Sequence, residues 1–126
     1  MKKILALLGL GFILMSATNF GTPDEIIDTL KRGSAQELAQ YFDNFVDITL
    51  PEKDEMKNMG KNQAGIALKS YYDEIGINTF HLTSKREAGS IMYITGKLEG
   101  KTKNTNLTLI LKNSGNKYSI TSIRIG

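Results

Sequence analysis

The chain has no cysteine among its 126 residues and a single histidine, His81. The missing thiol excludes disulfides, Cys nucleophiles, thiolate zinc sites and iron–sulfur clusters. It also removes the residue that a lipoprotein needs for acylation, so lipid anchoring by that route is excluded. One histidine rules out multi-histidine metal sites and leaves His81 as the only base for a serine nucleophile. Excess charge is scarce too: sixteen Lys plus Arg stand against thirteen Asp plus Glu. Lys2 and Lys3 belong to a segment read below as removable, which leaves 14 − 13 = +1. There is then no overall excess to draw in nucleic acid or anionic membrane. P-loop spacing is absent, since Gly9-Leu10-Gly11 falls in that same segment. The long apolar run is Ile4–Met15. As a helix at 1.5 Å per residue it would span about 18 Å, well short of a roughly 30 Å hydrocarbon core.

What is present begins with that run. Lys2-Lys3 precede it and Ser16-Ala17-Thr18 follow, the basic, apolar and small-residue order that feeds secretion. Residues 1–20 are therefore expected to be a removable signal, cut between Ala17 and Gly21. The mature chain, 21–126, is expected to be one exported domain, periplasmic or secreted, that is not a lipoprotein and has no stable membrane anchor. Its stability must come from an ordinary core, which a 40% hydrophobic composition can supply.

Thr22, Pro23 and Glu25 form a helix start with a capping box, and Ile26, Ile27 and Leu30 give its apolar face. Gly33 closes it, and Ser34 with Glu37 opens a second helix through Leu38, Ala39 and Phe42. The spacing predicts helices over Pro23–Arg32 and Ala35–Phe42. Phe45–Leu50 reads as a strand ended by Pro51, followed by a polar loop over Glu52–Lys61, with a short strand around Glu55–Met59 as the alternative. Ala64, Leu68, Tyr71 and Ile75 lie at helical spacing, and Gly76 stops that third helix. Beyond it the period changes to two. Strand runs Thr79–Lys85, Ile91–Glu99, Asn106–Lys112 and Tyr118–Ile125 are joined by short turn-forming clusters, which predicts an antiparallel meander.

This α-α-β-α-β-β-β-β order is an α+β arrangement and resembles the NTF2-like superfamily. The resemblance implies a cone in which a curved antiparallel sheet wraps three N-terminal helices. More narrowly, the signal, the Glu37-Leu38-Ala39-Gln40-Tyr41-Phe42 segment and the Tyr118…Ile123-Arg124-Ile125 ending resemble an exported, uncharacterised DUF4783-type family of Bacteroidetes. That family supplies a fold and a lineage but no activity to carry over. NTF2-like cones often hold a pocket, some relatives are isomerases or dehydratases, and pairing through the sheet is common among them.

Alternation tests the enzyme reading, because such chemistry needs an Asp or His tuned by burial inside the cone. Phe80 and Leu82 share one face; Met92, Ile94 and Leu98, with Leu107, Leu109 and Leu111, share it on the next strands. That face must pack on the helices, since a one-residue slip would expose every leucine. It carries no ionisable residue in these strands, and His81, Tyr93 and Thr108 fall outside. Asp47 points outward with Phe45 and Thr49 if Val46, Ile48 and Leu50 point in; the opposite register buries it. Tyr41, Asp47, Tyr71 and Tyr72 are the candidate pocket residues, though core packing explains the tyrosines better. Lys97, Lys101 and Lys103, like Lys53, Lys57 and Lys61, read as solvated surface.

The outer face is richer as a contact surface. His81, Ile91, Tyr93 and Ile110, with Tyr118 as a further member, put large groups where a monomer would show Thr, Lys and Glu. In the last strand Tyr118 and Ile120 differ in parity from Ile123 and Ile125, which predicts a bulge near Thr121-Ser122. The expected function is a non-catalytic binding module without a cofactor, a homodimer through the convex sheet face. A small apolar ligand in the cone, or an envelope protein, is the further partner the pattern allows; nucleic acid is not. The alternative is an isomerase- or dehydratase-type enzyme using Asp47, His81 or a pocket tyrosine.

Overall fold

Local capping chemistry sets the first two helices. In the computed structural model, which describes residues 21–126, α1 spans Pro23–Lys31 and opens on a reciprocal capping box. Thr22 Oγ1 accepts from the Glu25 amide and Glu25 Oε1 accepts from the Thr22 amide, each at 3.2 Å. The expected signal and its cleavage point lie outside the described residues. Gly33, at φ 69°, turns the chain where an added Cβ would sit 2.6 Å from the Asn78 carbonyl oxygen. At α2 (Ala35–Leu38) the expected second capping box is only half made. Ser34 accepts from the Glu37 amide, but the Glu37 carboxylate turns to Arg32 at 2.8 Å instead of reaching back. The helix tightens into a 3₁₀ turn, Ala39–Tyr41, and β1 (Phe42–Thr49) starts at once.

Two expectations about the sheet need correction. The segment Glu52–Lys61 does contain the short strand weighed around Glu55–Met59, which the expected element order left out: β2 (Met56–Gly60) lies antiparallel to β1, before α3 (Lys61–Ile75). The order is therefore α-α-β-β-α-β-β-β-β, with β3 Thr79–Ala88, β4 Ile91–Glu99, β5 Asn104–Ser114 and β6 Lys117–Ile125. Without β2, the free edge of β1 would present unpaired backbone groups. The curved, six-stranded sheet has the order β2-β1-β6-β5-β4-β3, and it is mixed. β1 lies parallel to β6, because α3 and the whole meander separate them and no short turn constrains their direction.

The meander puts one parity against the helices. Phe80, Met92, Ile94, Leu98, Leu107, Leu109 and Leu111 are buried with Ala64, Leu68, Tyr71, Tyr72 and Ile75 of α3. Leu82 departs from this pattern and is 42% exposed. It lies at a register break in edge strand β3, beyond which every residue is exposed. In β6 the ladder jumps from Ile110↔Ser122 to Leu111↔Ile120, so Thr121 is an extra residue. The bulge expected there lets Ile120, Ile123 and Ile125 all face inward despite their different parity.

At Gly96 the neighbouring strand and the Phe80 ring leave no room for a side chain unless they shift. A Cβ built there would fall on the His81 carbonyl and the Phe80 ring. Gly96→Ala is expected to destabilise the protein by roughly 1–3 kcal/mol through overpacking, as measured by urea unfolding. Thr22→Ala removes the side-chain acceptor of the capping box and is expected to cost about 1 kcal/mol in the same assay. A loss near zero would show that α1 is held by packing alone.

Candidate functional site

Inside the cone, chemistry is sparse. Among the described residues the buried side chains are apolar or tyrosine, apart from Thr29, whose hydroxyl donates to the Glu25 carbonyl at 2.8 Å. The Tyr72 hydroxyl is buried without a hydrogen-bond partner. Burial, and then its neighbour Tyr71, pushes the Tyr72 phenol well above the ordinary tyrosine range. Tyr71 is different, because its hydroxyl reaches Thr105 Oγ1 at 3.3 Å.

The four residues expected to line a pocket are not brought together. Tyr41 borders a depression of about 220 Å³ at the start of β1, with Asp43 and Lys61. Tyr71 borders another of about 470 Å³, with Pro51, Ser70 and Lys103. Tyr72 lies on a third of about 230 Å³, beside Gly33, Ser34 and Lys69. Asp47 sits on the opposite side of the sheet, in a depression of about 570 Å³ on the outer face. Its Oδ1 accepts from the Asn58 amide at 2.8 Å. Asn58 has φ 52° and faces the break in the β1–β2 register, so the carboxylate occupies a donor that the ladder leaves over. Sequence reasoning missed a fifth depression of about 550 Å³ between α2 and α3, lined by Ala39, Asn62, Gly65 and Ile66. Its one sequence signal is Ile66, off the buried stripe of α3 and 70% exposed.

The outer face gathers more. Tyr93 pairs across the ladder with Ile110, and Ile91 lies two residues away, exposed at the start of β4. His81 shares the outer face with Tyr93, as expected, but the register separates it from the cluster of Ile91, Tyr93 and Ile110 that was expected to include it. The break between Leu82 and Ser84 places Arg86 opposite Tyr93 and leaves His81 opposite Lys97. The Arg86 guanidinium lies 5.6 Å from the Tyr93 ring centroid, a cation–π contact. His81 is exposed and hydrogen-bonds Glu99 through Nε2. Tyr118 is not on this face. It packs against the rim of the core, and its hydroxyl donates to Glu87 Oε2 at 2.9 Å. That hydrogen bond, ahead of burial and the Glu87 charge, holds the phenol above its usual range.

No group of three or more His, Cys, Asp or Glu residues suited to a metal occurs among the described residues, and none of their helices is long and apolar enough to cross a membrane. The geometry offers separate shallow depressions and one open, half-apolar sheet face.

A search of the curated proteins finds no match. Among solved structures, a DUF4783 family protein from Bacteroides ovatus ATCC 8483 is 25% identical, with a TM-score of 0.73 over 82% of this chain and 93% of that one. A second, from Bacteroides uniformis ATCC 8492, is 23% identical with a TM-score of 0.75, covering 83% of this chain and 95% of that one. A hypothetical protein with a ketosteroid isomerase-like fold from Catenulispora acidiphila DSM 44928, in complex with trimethylamine, is 20% identical. Its TM-score is 0.59 over 83% of this chain and 85% of that one, a likeness of fold alone. The family model described as domain of unknown function (DUF4783) matches residues 23–126. With helices on one face of a curved six-stranded sheet and a match across nearly all the described residues, the chain belongs to the DUF4783 family and has an NTF2-like fold.

Proposed function

We propose that this chain is an exported, non-catalytic binding module that pairs with a second copy of itself through the outer face of its sheet. The observation that carries the reading is the grouping of Ile91, Tyr93 and Ile110 on the face the helices do not cover. A cluster of large apolar groups in water gains free energy by being covered. Export rests on the Lys2-Lys3 head and the Ile4–Met15 run.

An isomerase or dehydratase needs its acid, base and substrate in one enclosed place. The geometry favours the binding reading on that count. Asp47 is engaged with a backbone amide on the outer face, His81 is exposed beside Glu99, and Tyr41, Tyr71 and Tyr72 open onto three different depressions.

Light scattering of the purified protein is expected to report a dimer. A Tyr93→Lys variant, which places a charge in the apolar centre of each copy, is expected to dissociate about 100-fold more readily and to run as a monomer. A monomeric wild type overturns the pairing. Tyr72→Phe addresses the interior. Removing a buried hydroxyl that has no partner is expected to leave stability unchanged or to raise it by up to about 1 kcal/mol in urea unfolding. A loss of that size instead would mean that the hydroxyl is satisfied, by bound ligand or water.

A further inference from the structure

One ladder position from each of five strands lines up across the outer face. Arg86 pairs with Tyr93, Tyr93 with Ile110, Ile110 with Ser122, and Ser122 with Asp47. Directly opposed residues project to the same side of a sheet, so these five form one row, with Arg86 exposed and the other four half-buried. The row has a cation at one end, a carboxylate at the other and Ile110 at its centre. Two strand spacings separate Ile110 from either end, about 10 Å each way. Neither charge is neutralised within the row. Arg86 lies on the Tyr93 ring, and Asp47 engages the Asn58 amide through Oδ1. Around Asp47 the face sinks into the 570 Å³ depression, whose charged lining is Asp47, Glu55 and Arg124, with Thr108, Thr121 and Ser122 among the rest. One side of the centre is thus a knob, the Arg86–Tyr93 stack, and the other is a socket in which two carboxylates, Asp47 and Glu55, outnumber the one cation, Arg124.

We infer that two copies pack outer face to outer face about a two-fold axis running along β5 through Ile110, so that each Arg86–Tyr93 stack enters the socket of the other copy and Arg86 meets Asp47. This rests on the pairing proposed above and adds its geometry. Rotation about an axis along β5 turns the row over and exchanges its ends. Ile110 then faces Ile110, Tyr93 faces the small Ser122, and Arg86 faces Asp47. An axis along the row would set each residue on itself, bringing Arg86 onto Arg86 and Asp47 onto Asp47. The adjacent row agrees. It runs Ser84, Thr95, Thr108, Arg124 and Thr49, and the same axis sets Arg124 against Thr95 without opposing like charges. On the other side Lys112 falls on the axis, where its ammonium already lies 3.7 Å from Asp43 of its own copy. An interface of this kind is isologous, each residue contact occurring twice.

The test is a charge exchange between copies. Arg86→Glu alone opposes two pairs of acids, and Asp47→Lys alone opposes two pairs of cations. Each homodimer is expected to dissociate about tenfold more readily than wild type. Mixed together, the two variants regain both contacts. The introduced glutamate of one copy meets the introduced lysine of the other, and the unaltered Arg86 and Asp47 meet at the second contact. Native mass spectrometry should then find the heterodimer in excess of either homodimer and near wild-type affinity. Because Asp47 also holds the Asn58 amide, Asp47→Asn serves if Asp47→Lys does not fold. Mixed with Arg86→Glu, it relieves one repulsion, keeps one attraction, and should still outcompete the Arg86→Glu homodimer. A dimer that Tyr93→Lys disrupts, but whose charge variants associate at random, overturns the axis and leaves the pairing standing. A monomeric wild type overturns both.

Discussion

Strict alternation of side chains along β3–β6 divides this molecule into an apolar interior and an exposed sheet face, and two single-residue insertions keep that division intact. At Thr83 the β3–β4 register passes from Leu82↔Gly96 to Ser84↔Thr95. At Thr121 the β5–β6 register passes from Ile110↔Ser122 to Leu111↔Ile120. Each insertion reverses the facing of everything beyond it. Without the first, Arg86 would point toward the helices and Lys85 and Glu87 would take its place outside. Without the second, either Ile120 or the Ile123–Ile125 pair would be in water. The core and the outer face therefore have a common origin in the placement of two threonines.

That dependence also marks where a reading of the sequence succeeds and where it stops. The capping box at Thr22, the turn at Gly33 and the buried stripe of α3 are local, and their residues are adjacent in the chain. The facing of β4 and β5 is legible for the same reason, because nine or more residues alternate without interruption. β2 is only half visible, since Met56-Lys57-Asn58-Met59-Gly60 is polar and short, and its pairing is dictated by the edge of β1. The neighbours of His81 are misread because a bulge in an exposed edge strand leaves no hydrophobic signature. Tyr118 is misplaced for a related reason: its inward facing depends on the bulge three residues later. Patterns that fix which way a residue faces say nothing about the distance between elements. Tyr41, Tyr71 and Tyr72 are all buried, as their positions imply, yet they open onto different depressions.

The interior explains why chemistry is scarce there. An ionised carboxylate or imidazolium placed among Ile94, Leu109 and Ile123 would forfeit its hydration without a partner, at a cost of several kcal/mol. A fully packed aliphatic side chain contributes about 1.5–3 kcal/mol relative to exposure. In a domain with no disulfide, such positions are needed for stability. Gly96 shows how little slack remains, because even a methyl group is excluded between β3 and the Phe80 ring. The polar groups that do carry structural roles are tied to backbone, as with Thr29 on the Glu25 carbonyl and Asp47 on the Asn58 amide.

On the outer face the same constraint has a different outcome. Tyr93 in isolation would be a mobile aromatic ring in water, and fixing it on association would cost conformational entropy. Here its ladder neighbours restrict it before any partner arrives: the Arg86 guanidinium covers the ring and Ile110 stands opposite. The cation–π contact also keeps the Arg86 charge on the face instead of extended into solvent. A surface prepared in this way loses less on binding than one whose side chains must first be ordered. The gain is greatest for a partner that offers a small residue opposite the ring and a carboxylate opposite the cation. Ser122 and Asp47 provide that combination on the same sheet, at mirrored distances from Ile110, so the proposed pairing with a second copy would meet both requirements at once.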